Sequence, residues 1–212
     1  MRVGSSIWNR PERGTRGPAP GHSRDAIVAA AVVLADAEGL AAVSMRAVAG
    51  ALGTGAGSLY RYLSSRDDLL DLMTDAAMAE MRPYPDGDRP WPDAMLTVAR
   101  RQLELYRRHR WLIDAATRPA APGPNVLEYF DHCLRLLAPV DCPDAAKFEA
   151  IAMVTGVVTL FARSEGAYPL DGVDPVAHPH LAAALSRPSS APRTDLFDRS
   201  VRSLLSGLLA PG

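Results

Sequence analysis

Cysteine is nearly absent from this 212-residue chain: only Cys133 and Cys142 occur. Their spacing matches no metal or redox motif, so they read as reduced thiols of a cytoplasmic protein, not as a disulfide framework. Lysine is scarcer still. Lys147 stands alone, and arginine supplies nearly all the positive charge. Arginine can grip phosphate or guanine through two parallel bonds, although GC-rich coding favours the same residue across a whole surface. No apolar run reaches the about 18 residues of a membrane span. No apolar segment follows the N-terminal arginines, so no secretory signal is expected. Alternating strand patterns and internal repeats are missing too. What remains, 48% hydrophobic and 22% charged, suits one large or two small globular domains.

The near-zero net charge is divided. Residues 1–66 carry eight arginines against four acidic residues, or +4, which leaves −5 of the total −1 for the rest. A basic front and an acidic back suit a chain that touches nucleic acid with one end. Residues 1–22, rich in Arg, Gly and Pro without periodicity, read as a disordered arm. Arg10, Arg13 and Arg16 could follow DNA phosphates or enter a minor groove from it.

Helical periodicity begins at Ser23. Ile27, Ala30, Ala31, Leu34 and Ala35 recur on one face until Glu38-Gly39 ends the helix. Ser44 caps a second helix with Val48, Ala51 and Leu52 inward, and Gly53 stops it, since glycine adopts the left-handed conformation without penalty. A third helix is expected over about Gly55–Leu63, with Leu59 and Leu63 inward. Ser65 and Asp68 form a capping box for a fourth, whose inward face is Leu69, Met73, Ala76 and Ala77. The second and third helices have the proportions of a helix-turn-helix, which places one short helix in a DNA groove.

The stretches Ser44-Met-Arg-Ala-Val-Ala, Leu52-Gly, Gly57-Ser-Leu-Tyr-Arg-Tyr and Ser65-Arg-Asp-Asp-Leu-Leu-Asp resemble the DNA-binding domain of the TetR family of bacterial transcriptional repressors. The resemblance implies an all-α protein in which a helix-turn-helix domain, residues 23–66, joins a helical ligand-binding and dimerisation domain, residues 67–212. It assigns Ser44 to a phosphate, Arg46 to a base, Gly57, Ser58, Tyr60, Arg61 and Tyr62 to the recognition helix, and Arg66 to a phosphate. The family's usual N-cap serine is Gly55 here, and Gly57 lies inside the helix at a cost of about 1 kcal/mol against alanine. A recognition helix that is loose without DNA is expected.

Arg82–Pro90 is a Pro/Gly/Asp-rich break. Beyond it, helices are expected over Trp91–His109, Trp111–Ala116, Pro124–Leu137 and Pro143–Ser164, with a loop over 166–193 that holds a turn or two near Leu181–Leu185. Thr194 is expected to cap a terminal helix. The 143–164 segment is apolar on nearly every side, which asks for a second covering surface besides its own core. By resemblance, the last two long helices pair with their copies in a homodimer.

The C-terminal half resembles the tetracycline-repressor branch through His109-Arg, Asp114-Ala-Ala-Thr-Arg-Pro and Val158-Thr-Leu-Phe-Ala-Arg-Ser-Glu. Asp114 replaces a magnesium-binding histidine of that repressor, and Arg82 and Val98 replace polar drug contacts, so tetracycline is not the expected effector. An apolar pocket is expected from Met95, Val98, Gln102, Trp111, Phe130, Met153, Val157 and Phe161. Asp114, Arg118 and His132 would be its polar groups. No cofactor, resident metal or catalytic set is expected, and His178-Pro-His180 reads as a solvated loop. The reading is a cytoplasmic, ligand-responsive repressor that binds a near-palindromic operator. Alternatives are an all-helical carrier or enzyme with a vestigial DNA-binding head, and a DNA-binding dimer that answers to a protein partner.

Overall fold

The computed structural model describes residues 7–9, 22–85, 89–163, 172–186 and 195–209. Ten α-helices and no strand occur among them: α1 (Arg24–Glu38), α2 (Met45–Ala51), α3 (Ala56–Leu59), α4 (Arg66–Met78), α5 (Trp91–Arg108), α6 (Leu112–Ala115), α7 (Pro124–Leu136), α8 (Asp144–Arg163), α9 (Pro179–Leu185) and α10 (Leu196–Leu208).

Local chemistry sets the helix starts. Ser23, Ser44 and Ser65 each accept a hydrogen bond from a backbone N–H three residues on, which satisfies a donor the helix cannot use. Asp68 reaches back to the N–H of Ser64 at 2.8 Å, one residue earlier than an ideal capping box. Prolines stand in the first turns of α5, α7 and α9, where their missing N–H is no loss. Gly53 takes φ +65° between α2 and α3, the left-handed conformation the tight turn requires.

Helices α1 to α4 pack around Ile27, Val48, Leu59, Leu63, Leu69 and Met73, all fully buried. Three sequence expectations shift here. Met45 and Ala49, not Ala51, share the inward face of α2 with Val48. Ala76 faces solvent, and Leu70 and Leu72 are buried in its place, because α4 is covered on two sides, by α1 and by α7. The third helix ends at Leu59, and turn bonds such as Tyr62 N–H to Leu59 C=O, with one α-type bond from Leu63 N–H to Leu59 C=O, carry the segment on to Leu63.

In the second half α5, α8 and α10 pack on one another, and α7 lies between α4 and α8. Helix α9 is the two turns expected near Leu181–Leu185, beginning at Pro179; Thr194 lies outside the described residues, and Leu208 is exposed at the end of α10. Although Lys147 and Glu149 interrupt its apolar run, α8 is by length and mean composition apolar enough to pass for a membrane span: its best 18-residue window has mean hydropathy 1.6. One face, with Ile151, Val154 and Val158, is buried against α5 and α10, whereas Phe148, Met153 and Leu160 are 48%, 53% and 61% exposed.

Within the stretch expected to be an arm, Ile7–Asn9 form a 3-10 turn. Ile7 is buried, and the indole N–H of Trp8 donates to the Ala121 carbonyl at 3.0 Å. These two residues belong to the packed body and not to an arm. Arg10, Arg13 and Arg16 lie outside the described residues.

Candidate nucleic-acid interface and effector cavity

The helix-turn-helix presents its polar groups unequally. Arg46, Gly57, Tyr60 and Arg61 are exposed, and nothing lies within 4 Å of the space a β-carbon would fill on Gly57. Tyr62 is half-buried against the core. The Ser44 hydroxyl accepts the α2 cap bond, so only its proton is left to donate to a phosphate. Ser58 is more heavily committed: its hydroxyl donates to Gly55 C=O at 2.7 Å and shares a 2.9 Å bond with Thr54. These bonds tie Ser58 to the turn before α3, whose N-terminus has no side-chain cap. Arg66 also differs from its assigned role. Its Nε donates to Val43 C=O at 2.6 Å and an Nη to Leu40 C=O at 2.7 Å, which locks α4 onto the loop before α2. Arg46, Tyr60 and Arg61 are thus the long side chains most available to DNA.

Helix α4 carries that head to a cavity of about 340 Å³ enclosed by α4, α5, α6, α7, α8 and the loop after α6. Of the candidate lining residues, the structure brings Gln102, Arg118 and Phe130 together there. Met95 and Val98 are buried on α5 below the cavity, and Trp111 is buried with its indole N–H on Asp36 of α1 at 2.8 Å. Asp114 is exposed and ion-paired with Arg163 at 3.1 Å, so it does not line the cavity. Met153 and Val157 flank Thr155, which does line it. Two residues turn a helix by about 160° the other way, so neither faces the same side. Phe161 instead meets Phe197 edge to face. His132 stacks on Tyr84 with ring centroids 4.5 Å apart, away from the lining.

Besides those of α6 and the loop after it, the lining residues that the sequence reading missed include Asp71, Thr74 and Met78 of α4. With Asp75 they form an i, i+3, i+4, i+7 stripe, a second inward face whose polar members hid it from a search for apolar periodicity. Arg118 ion-pairs with Asp71 and lies 3.7 Å from Asp67, so the loop after α6 is bound to α4. Its Nε is buried without a partner, which leaves a donor for an acceptor group in the cavity. The deep wall is a hydrogen-bonded chain. Tyr129 O–H donates to Gln102 Oε1 at 3.2 Å, Gln102 Nε2 donates to Thr155 at 3.2 Å, and Thr155 donates to Ile151 C=O. Burial raises the Tyr129 hydroxyl well above its ordinary value, so it stays protonated and able to donate. The cavity is thus mostly apolar, with polar groups at two ends.

Two further joints tie the head to the second half. Asp75, buried, accepts from the N–H groups of Asn125 and Val126 at 2.9 and 3.0 Å and from Asn125 Nδ2 at 2.8 Å, which caps α7 from across the interface. His109 lies between Asp36 of α1 and Glu80, with ring nitrogens 2.8 and 2.9 Å from their carboxylates. Burial opposes ionisation of Glu80, but bonds from Arg108 and His109 outweigh it and lower its pKa.

A helix-turn-helix unit joined through α4 to a helical domain with a mostly apolar cavity is the architecture of a helix-turn-helix regulator. The comparisons identify the family. Residues 27–73 match the family model of bacterial regulatory proteins of the tetR family, and residues 83–211 match the tetracyclin repressor-like C-terminal domain. The chain belongs to the TetR family of transcriptional regulators. It is 41% identical over 160 residues to the HTH-type transcriptional repressor DrrR1 of Streptomyces coeruleorubidus, a match covering 75% of this chain and 59% of that one. An HTH-type transcriptional regulator of Saccharopolyspora erythraea is 35% identical over 154 residues, covering 72% and 64%. The chain therefore spans about three fifths of the length of these relatives. In structure it resembles the Streptomyces coelicolor TetR family protein ActR in complex with actinorhodin, with TM-score 0.75 and 26% identity over 91% of this chain and 97% of that one.

Proposed function

We propose that this chain is a cytoplasmic, homodimeric repressor that binds a near-palindromic operator and releases it when a small, largely apolar molecule fills the cavity. Its head, residues 23–66, would read DNA, and residues 67–212 would sense and dimerise. The observation that carries this reading is the double use of α4. Arg66 at its start is bonded to the loop before α2, while Asp71, Thr74 and Met78 two turns on line the cavity. A molecule that moves α4 must move the reading head, and by linkage it lowers DNA affinity as far as DNA lowers its own. The actinorhodin bound by ActR supports a small-molecule effector, and an occupant here would meet donors at Arg118 Nε at one end and at the remaining N–H of Gln102 at the other.

The exposed apolar faces of α8 and α10 supply the dimer surface, and two copies give the paired heads that a near-palindrome needs. The test is binding to the chain's own upstream intergenic DNA against scrambled competitor at about 150 mM salt. The expected preference is roughly a thousandfold or more. Arg46→Ala and Arg61→Ala are expected to weaken it, and any phosphate contact among them lowers the salt slope by about one. Equal, salt-sensitive affinity for both DNAs would favour the carrier or enzyme reading.

A further inference from the structure

We propose that Ile7 and Trp8 form an internal anchor that competes with the effector for the one non-helical wall of the cavity, so that filling the cavity releases the N-terminal segment. The inference rests on the reading of the cavity as the effector site.

Every lining residue lies on a helix except those between Ala116 and Pro122. At about 340 Å³ the cavity is at the small end for a drug-sized ligand, so a larger occupant either extends through its open side or displaces a wall. Among the described lining residues the loop is the one wall without a helix's own hydrogen-bond ladder. Its Ala121 is held at both backbone groups. The N–H donates to Asp71 at 3.3 Å, and the carbonyl accepts from the Trp8 indole. Trp8 itself does not line the cavity. Gly123, which follows the loop and precedes α7, shows how closely the anchor fits: a β-carbon there would overlap both the Trp8 ring and the Asp75 carboxyl group. The side chain that a residue at 123 would otherwise carry has been given up to the indole.

Ile7 sits in the main core, so the anchor is an apolar plug that also carries the indole bond to Ala121, and not a surface contact. An occupant that pushes the loop outward removes the Ala121 carbonyl from Trp8, and a docked Trp8 resists that push. The two events oppose each other by the same factor in either direction.

The test uses the full chain without effector. Amide exchange in Trp8→Ala is expected to be at least about tenfold faster over residues 116–123 while α8 keeps its protection. Trp8→Phe, which keeps a ring but loses the N–H, should lie between. The dye anilinonaphthalene sulfonate then probes the cavity: Trp8→Ala should bind it at least about threefold tighter, and Thr155→Phe, which fills the cavity from α8, should abolish binding. Unchanged exchange over 116–123 would overturn the anchor. Faster exchange with unchanged dye affinity would overturn the competition. Dye binding that is absent, or indifferent to Thr155→Phe, would remove the cavity reading, and the proposal with it.

Discussion

Replacing Asp75 with alanine strips the first turn of α7 of its acceptor. In the folded chain this carboxylate is 4% exposed and takes three N–H donors: two backbone groups of α7 and the Asn125 amide. A hydrogen bond to a charged group contributes about 1.5–3 kcal/mol, and loss of a helix N-cap costs about 0.5–2 kcal/mol. Their plain sum overshoots, because removing the carboxylate also removes the cost of holding a charge out of water. A net loss of about 3 kcal/mol is expected for Asp75→Ala. Asp75→Asn keeps an oxygen for the two backbone donors but turns an amide nitrogen toward Asn125 Nδ2, so about 1–2 kcal/mol is expected. The assay is denaturant unfolding at one fixed protein concentration, since dimerisation adds to apparent stability. An alanine variant within about 1 kcal/mol of the parent would refute the reasoning, because a buried carboxylate that caps a helix in trans cannot be so nearly neutral if its bonds exceed its desolvation cost.

Other tests bear on different parts of the molecule. His132 is held below the ordinary imidazole value of 6.5, first by burial and then by Arg135 and Arg101. The unfolded chain therefore takes up more protons, so stability from this group is complete above pH 6.5 and is lost as pH falls below it. His132→Phe should flatten that part of the pH–stability curve. Gly53→Ala places a β-carbon at φ +65° and should cost about 1 kcal/mol, measured against Gly55→Ala, whose φ of −82° any residue adopts. Met153→Arg with Leu160→Arg puts charge on the exposed face of α8. Sedimentation should then show monomers of unchanged helicity; an unchanged dimer would move the interface elsewhere.

Much of the fold was legible because its signals are local. A serine hydroxyl three residues before a free N–H, a proline in a first turn and apolar residues at helical spacing act within one or two turns, and they located α1, α4, α5, α7 and α8 closely. The same local rules exposed Gly53 as the turn of the reading unit and the paired Leu59 and Leu63 as its inward side. What the sequence could not order was which faces meet. Asp71, Thr74 and Met78 became cavity wall only because α4 is covered from two sides at once, and Asp114 lies on the exposed side of α6, paired with Arg163 of α8. Ile7 and Trp8 carry no periodicity by which two residues could announce a destination 113 positions away, at Ala121. Sequence alone determined the helices, their caps and the kinship of the head. Tertiary packing decided which side chains share a cavity, since such contacts join residues far apart in the chain and leave no short-range pattern.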